Sequence, residues 1–154
     1  MSRYAKNTKV ESRKSVEDIE KELSRFGATG FMYARKENRA AIAFEYDKRS
    51  IRMNLPLPGK DEYQFKYTLT GQETVPNIQT KKWKQAIKQK WRALLLLVKA
   101  KLVGVEDGIS TFETEFLPYL VTENGKTIAE EIVPNLDKIG SQNIMRFLPN
   151  PQTD

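Results

Sequence analysis

The chain has 154 residues, 26 Lys and Arg against 20 Asp and Glu, and neither Cys nor His. That length can bury one core without disulfide staples. The missing Cys and His exclude thiol nucleophiles, redox CxxC pairs, Cys/His zinc sites, Ser-His triads and histidine-based nucleases.

Charge is divided unevenly. Residues 1–105 carry 23 basic and 11 acidic side chains, a balance of +12, whereas residues 106–154 carry 3 and 9, a balance of −6. Such a split suits a basic surface for phosphate-bearing partners, an acidic surface for a basic partner, or two halves that attract each other on folding. No run has the length and apolarity of a transmembrane helix and the N-terminus lacks an apolar signal core, so a soluble protein of the cytoplasm is expected.

Residues 1–14 hold five basic residues, one acid and no apolar period, and read as a flexible basic arm. Ser15 followed by Asp18 is a capping pattern. Val16, Ile19, Leu23 and Phe26 then mark one helical face, and Gly27 is a stop signal. Three strands follow, at 31–35, 39–46 and 50–55, with linkers short enough for antiparallel hairpins. Ile42, Phe44 and Tyr46, with Ile51, Met53 and Leu55, give this meander one apolar face. Pro56, Pro58 and Gly59 end it.

Tyr63, Phe65, Tyr67 and Leu69 alternate with Gln64, Lys66, Thr68 and Thr70, the period of a fourth strand. Three aromatics interleaved with lysine are also a candidate stacking platform for unpaired bases.

The next stretch, Thr80–Val105, organises the chain. Trp83, Ile87, Trp91, Leu94, Leu95, Val98, Leu102 and Val105 follow the three-and-four spacing of an amphipathic helix, roughly 39 Å long at about 1.5 Å per residue. Lys81, Lys84, Lys88, Arg92 and Lys99 form a separate stripe, and from Val75 to Val105 there are eight basic residues and no acid. Leu96, Leu97 and Val103 lie off the main apolar face, which predicts a second half buried nearly all round.

Beyond Gly108 the chain turns acidic. Ser110 with Glu113 predicts a short capped helix ending before Pro118. Asn124-Gly125 predicts a tight turn between extended segments at 119–122 and 126–128, and Thr127 with Glu130 caps a last helix to about Ile139, interrupted by Pro134. Ile144, Phe147 and Leu148 predict a docked segment, followed by a loose tail over 149–154. The expectation is therefore a single α+β domain over 15–148: an N-terminal helix, a three- to four-stranded antiparallel meander, a long central helix, and C-terminal short helices with a small hairpin.

This element order also occurs in double-stranded RNA-binding domains, in single-strand annealing proteins and in one class of metal-dependent nucleases. The nuclease alternative requires convergent carboxylates. Glu45 and Asp47 end the second strand, but the third offers no acid and no Glu-x-Lys element follows. The blocks YAKNTKV (4–10), RFGATGFMYA (25–34), IRMNLPLP (51–58), KWRALLLLVKAKLVGVEDGISTFETEFLPYLV (90–121) and NGKTIAEEIVP (124–134) resemble a family of small bacteriophage and prophage proteins. The resemblance implies a phage-derived protein acting in a bacterial host, and it transfers no catalytic residue.

A non-enzymatic nucleic-acid-binding accessory protein of the replication or recombination type is the first expectation, with no cofactor and no metal. Lys81, Lys84, Lys88 and Arg92 are its candidate phosphate contacts, and Tyr63, Phe65, Lys66 and Tyr67 its candidate stacking segment. The alternative is an inhibitor that binds a host protein of defence or transcription, through an acidic surface of Glu113, Glu115, Glu123, Glu130 and Glu131.

Overall fold

A computed structural model describes residues 3–138, with side chains from Ser12 onward. The elements are helix α1 (Arg3–Phe26), strands β1 (Thr29–Lys36), β2 (Arg39–Tyr46) and β3 (Arg49–Pro56), and helices α2 (Tyr63–Lys66), α3 (Pro76–Glu106), α4 (Phe112–Phe116) and α5 (Ile128–Ile132). Two 3-10 turns, Leu117–Tyr119 and Val133–Lys138, follow α4 and α5. The fold is α+β, as the order of apolar periods predicts.

The three strands form one antiparallel sheet in the order β1-β2-β3. Register places Tyr33 opposite Ile42 and Ile42 opposite Met53, so these positions share a face. The hairpin turns are two residues long, with Glu37 at φ 54° in the first and Asp47 and Lys48 at φ 49° and 63° in the second. Positive φ at the first central position, as in the β1–β2 turn, or at both, as in the β2–β3 turn, matches the twist of the flanking strands.

Alternation along β2 and β3 buries Ile42, Phe44, Ile51, Met53 and Leu55 on one side. Against that face pack Val16, Ile19 and Leu23 of α1 and Ile87, Trp91, Leu94, Leu95, Val98 and Leu102 of α3. Arg25 reaches Glu106 at 3.1 Å, which joins the C-terminal ends of α1 and α3. The two packed helices therefore run in the same direction. Phe26, Tyr46, Phe112 and Phe116 close that end, with ring centroids 4.3 Å apart for Tyr46–Phe112 and 4.7 Å for Phe112–Phe116.

Several expectations are corrected. Helix α1 begins at Arg3, so Ser15 lies inside it and caps nothing; residues 3–14 lack Gly and Pro and are rich in good helix formers. The fourth strand is absent among the described residues. Tyr63–Lys66 is one helical turn, and only Tyr67 keeps an extended pairing, with Glu73. A strand needs a ladder partner, and Pro56-Leu57-Pro58 lead the chain off the sheet. The β3 edge is taken instead by Leu120, bridged to Ile51, and by the Val121 N–H bonded to the Ser50 carbonyl at 2.9 Å.

The second half of α3 is not buried all round: Leu96, Leu97 and Val103 are 57%, 42% and 50% exposed. The sheet and α1 cover one side of α3 only. The cap of α4 is Thr111, whose hydroxyl accepts from the Thr114 N–H at 3.2 Å, rather than Ser110. At α5 the capping box of Thr127 and Glu130 is present as read, and the helical path continues past Pro134 with a kink at Asn135. The predicted docked segment at Ile144, Phe147 and Leu148 and the tail at 149–154 lie outside the described residues.

Candidate nucleic-acid interface

One end of the molecule is assembled around the first turns of α3. Trp83, half-buried, donates its indole N–H to the Pro58 carbonyl at 2.9 Å, and the Gln79 amide donates to the Lys60 carbonyl at 3.0 Å. The Leu57 N–H in turn donates to the Asn38 carbonyl at 2.8 Å. These bonds tie the β1–β2 turn, the segment after β3 and the start of α3 together. Consequently Lys36 and Arg39, which flank that turn, sit at the same end as Lys60, Lys81 and Lys82.

Helix α2 packs beside α3 there. Between them runs a shallow groove of about 450 Å³ lined by Gln64, Phe65, Ile78, Lys81, Lys82, Gln85, Ala86 and Gln89. The aromatic segment and the basic stripe, separate in sequence, are thus neighbours in space. Within the segment the residues divide by burial. Tyr63 is 68% exposed and its ring lies 4.7 Å from that of the half-buried Tyr67. Lys66 is exposed. Phe65 is 4% exposed in the wall of the groove, which leaves its ring no open face for a base and corrects its assignment as a base-stacking residue.

The basic stripe divides too. Lys81 and Arg92 are exposed, whereas Lys84 and Lys88 are half-buried and each already has an interaction partner. Of the four candidate phosphate contacts, Lys81 and Arg92 are therefore the two that stand exposed. Sequence reasoning missed Lys82, Lys36 and Arg39. Lys82 was legible as part of the same lysine run; the two hairpin residues carried no local signal, because only tertiary bonds bring their turn to α3.

At the opposite end cations are matched by acids. Arg25 pairs with Glu22 and Glu106, both at 3.1 Å, Arg49 with Asp47 at 2.9 Å and Glu113 at 3.3 Å, and Lys101 with Glu115 at 3.6 Å. The Glu22 hydrogen bond and the Glu106 charge raise the Arg25 pKa above its ordinary value. On the outer face of the sheet Arg52 grips Glu130 at 3.0 Å and Asn54 donates to it at 2.9 Å. Glu130 also accepts from the Thr127 N–H, and this bond, with Arg52 next, lowers its pKa below the ordinary glutamate range.

Glu131 accepts from the Thr122 hydroxyl at 3.0 Å. Of the five acids offered as a surface for a basic host protein, four are thus engaged within the chain. By contrast, among the described residues no carboxylate lies within ion-pair distance of Lys36, Arg39, Lys81, Lys82 or Arg92. No family model, no curated protein and no solved structure matches the chain.

Proposed function

We propose that this protein binds the phosphate backbone of nucleic acid through the end built by Lys36, Arg39, Lys81 and Lys82 and along the Arg92 side of α3. It acts there as a non-enzymatic accessory of phage replication or recombination. The observation that carries the reading is the contrast between two sets of cations among the described residues: Arg25, Arg49 and Lys101 at the closed aromatic end pair with carboxylates, and Lys36, Arg39, Lys81, Lys82 and Arg92 do not. Unneutralised cations that contact the phosphates of a polyanion release its condensed counterions, and that release favours binding. The resemblance to phage and prophage proteins supports the biological setting. Tyr63, exposed beside its partner Tyr67, supports stacking on an unpaired base at the rim of the same surface.

Binding to duplex and single-stranded oligonucleotides at several salt concentrations tests this. Each phosphate contact contributes about 0.9 to the slope of log affinity against log salt on a duplex. Exchanging Lys81, Lys82 and Arg92 for Gln together should flatten that slope by about 2.7 and weaken binding about eightfold per contact at about 0.1 M salt. The same variant should melt like the parent, because exposed charges contribute little to stability. An unchanged slope, or no binding of either strand type at low salt, overturns the reading. Tyr63→Ala should weaken single-strand binding by about 1–3 kcal/mol and leave duplex binding unaltered.

A further inference from the structure

The solvent face of α3 does not look like a solvated helix face. Along one stripe of α3 lie Lys82, the half-buried Ala86, Gln89, Ala93, Leu96, Ala100 and Val103, separated alternately by four and three residues. That is the heptad seam of a coiled coil. Its last four members are apolar. Leu96 is 57% exposed and Val103 50%, with Leu97 alongside at 42%, and Ala93 and Ala100 between them are exposed as well. Small residues alternating with larger aliphatic ones let a second helix approach closely and seat its larger side chains over the alanines.

We propose that this face pairs with the same face of a second copy, the two α3 helices running antiparallel and crossing near residue 98. The crossing places Ala93 against Val103 of the other copy and Leu96 against its Ala100, so four successive layers are apolar. Charge decides the direction. In the antiparallel arrangement the lysine-rich first halves of the two helices point to opposite ends, and Arg92 of each copy comes near Glu106 of the other, which its own Arg25 also holds. A parallel pair would instead lay the eight cations and no acid of Val75–Val105 beside an identical set. One like-charge contact remains, Lys99 near its own counterpart beside the two-fold axis.

The apolar overlap is only about three helical turns, below the roughly 1,200 Å² of a standard stable interface. The dimer therefore forms by mass action as concentration rises. It would carry its two basic ends at opposite extremes, but the dimer itself does not rest on nucleic-acid binding.

Sedimentation of the intact chain without nucleic acid, over roughly 1–500 µM, tests the inference. The expected result is a shift toward twice the 17.8 kDa chain mass. Leu96→Glu should abolish the shift, Arg92→Glu should weaken it, and Lys99→Gln should strengthen it several-fold by removing the like-charge contact. Met32→Glu, on the outer face of the sheet, should leave it unchanged. Because the chain has no cysteine, single introduced thiols report direction: under oxidation Leu97→Cys should cross-link across the two-fold axis and Ala86→Cys should not. A monomer at every concentration, a Leu96→Glu variant that still dimerises, or cross-linking through Ala86→Cys in place of Leu97→Cys overturns the proposal.

Discussion

The two tryptophans of α3 lie eight residues apart, and the same substitution should destabilise at one and be nearly neutral at the other. Trp83 donates to the carbonyl of Pro58, a buried residue, at 2.9 Å. Trp83→Phe keeps most of the apolar ring but strands that carbonyl, a loss of about 1–3 kcal/mol when a buried polar group is left without its partner. Trp91 is 1% exposed, and its buried indole N–H has no acceptor among the described residues. Trp91→Phe gives up roughly 1–2 kcal/mol of packing and recovers about 1–3 kcal/mol from the removed N–H, so the net change is near zero.

For a chain of this size 1 kcal/mol moves Tm by about 2–4 °C. Trp83→Phe should accordingly melt about 2–12 °C below the parent, and Trp91→Phe within about 3 °C of it. Thermal and urea denaturation of both variants reads this directly, and each retains one tryptophan as a fluorescent reporter. Trp91→Phe proving the more destabilising of the two would refute the hydrogen-bond accounting. Trp83→Phe should also loosen the union of the β1–β2 turn with α3, without moving a single cation of the basic stripe.

Leu94 is 5% exposed in the face of α3 that meets the sheet, and Leu94→Ala should cost about 2–5 kcal/mol by urea titration; a variant of parental midpoint would mean that the site collapses freely. Lys48 sits at φ 63°, where a side chain costs about 1–2 kcal/mol relative to glycine, so Lys48→Gly should raise Tm by a few degrees. Glu130→Gln should separate from the parent only in part of the pH range. The folded pKa of Glu130 is depressed, so its charge contributes stability above the ordinary glutamate value, and that contribution is lost as pH falls through the folded value. Urea midpoints of parent and variant should therefore differ near pH 7 and converge below about pH 4; a constant gap would show that the carboxylate charge is irrelevant.

Local periodicity carries far in this chain. The meander, the long helix and the capping box at Thr127 were legible because each rests on a repeat of two, a repeat of 3.6, or a hydrogen bond between residues three apart. The same information misplaced Tyr63–Leu69. Alternation says which side chains could share a face, but strand formation depends on a free partner edge, and Leu120, far along the chain, occupies the one beside β3.

The candidate interface divides along the same line. That Lys81 and Arg92 share one face follows from the 100° turn of an α-helix, and that no acid lies between Val75 and Val105 follows from the sequence itself. Only packing decided that Lys84 and Lys88 were half-buried and already engaged, that Phe65 turned inward, and that Lys36 and Arg39 joined the site. The exposed aliphatics of α3 show the limit most sharply. Sequence alone specified that Leu96, Leu97 and Val103 are apolar and off the main face; whether such residues become core or surface depends on how many sides of the helix other elements cover. One sheet and one parallel helix leave the far side of α3 open to solvent, because burial is a property of the whole packing arrangement and not of any residue's own pattern.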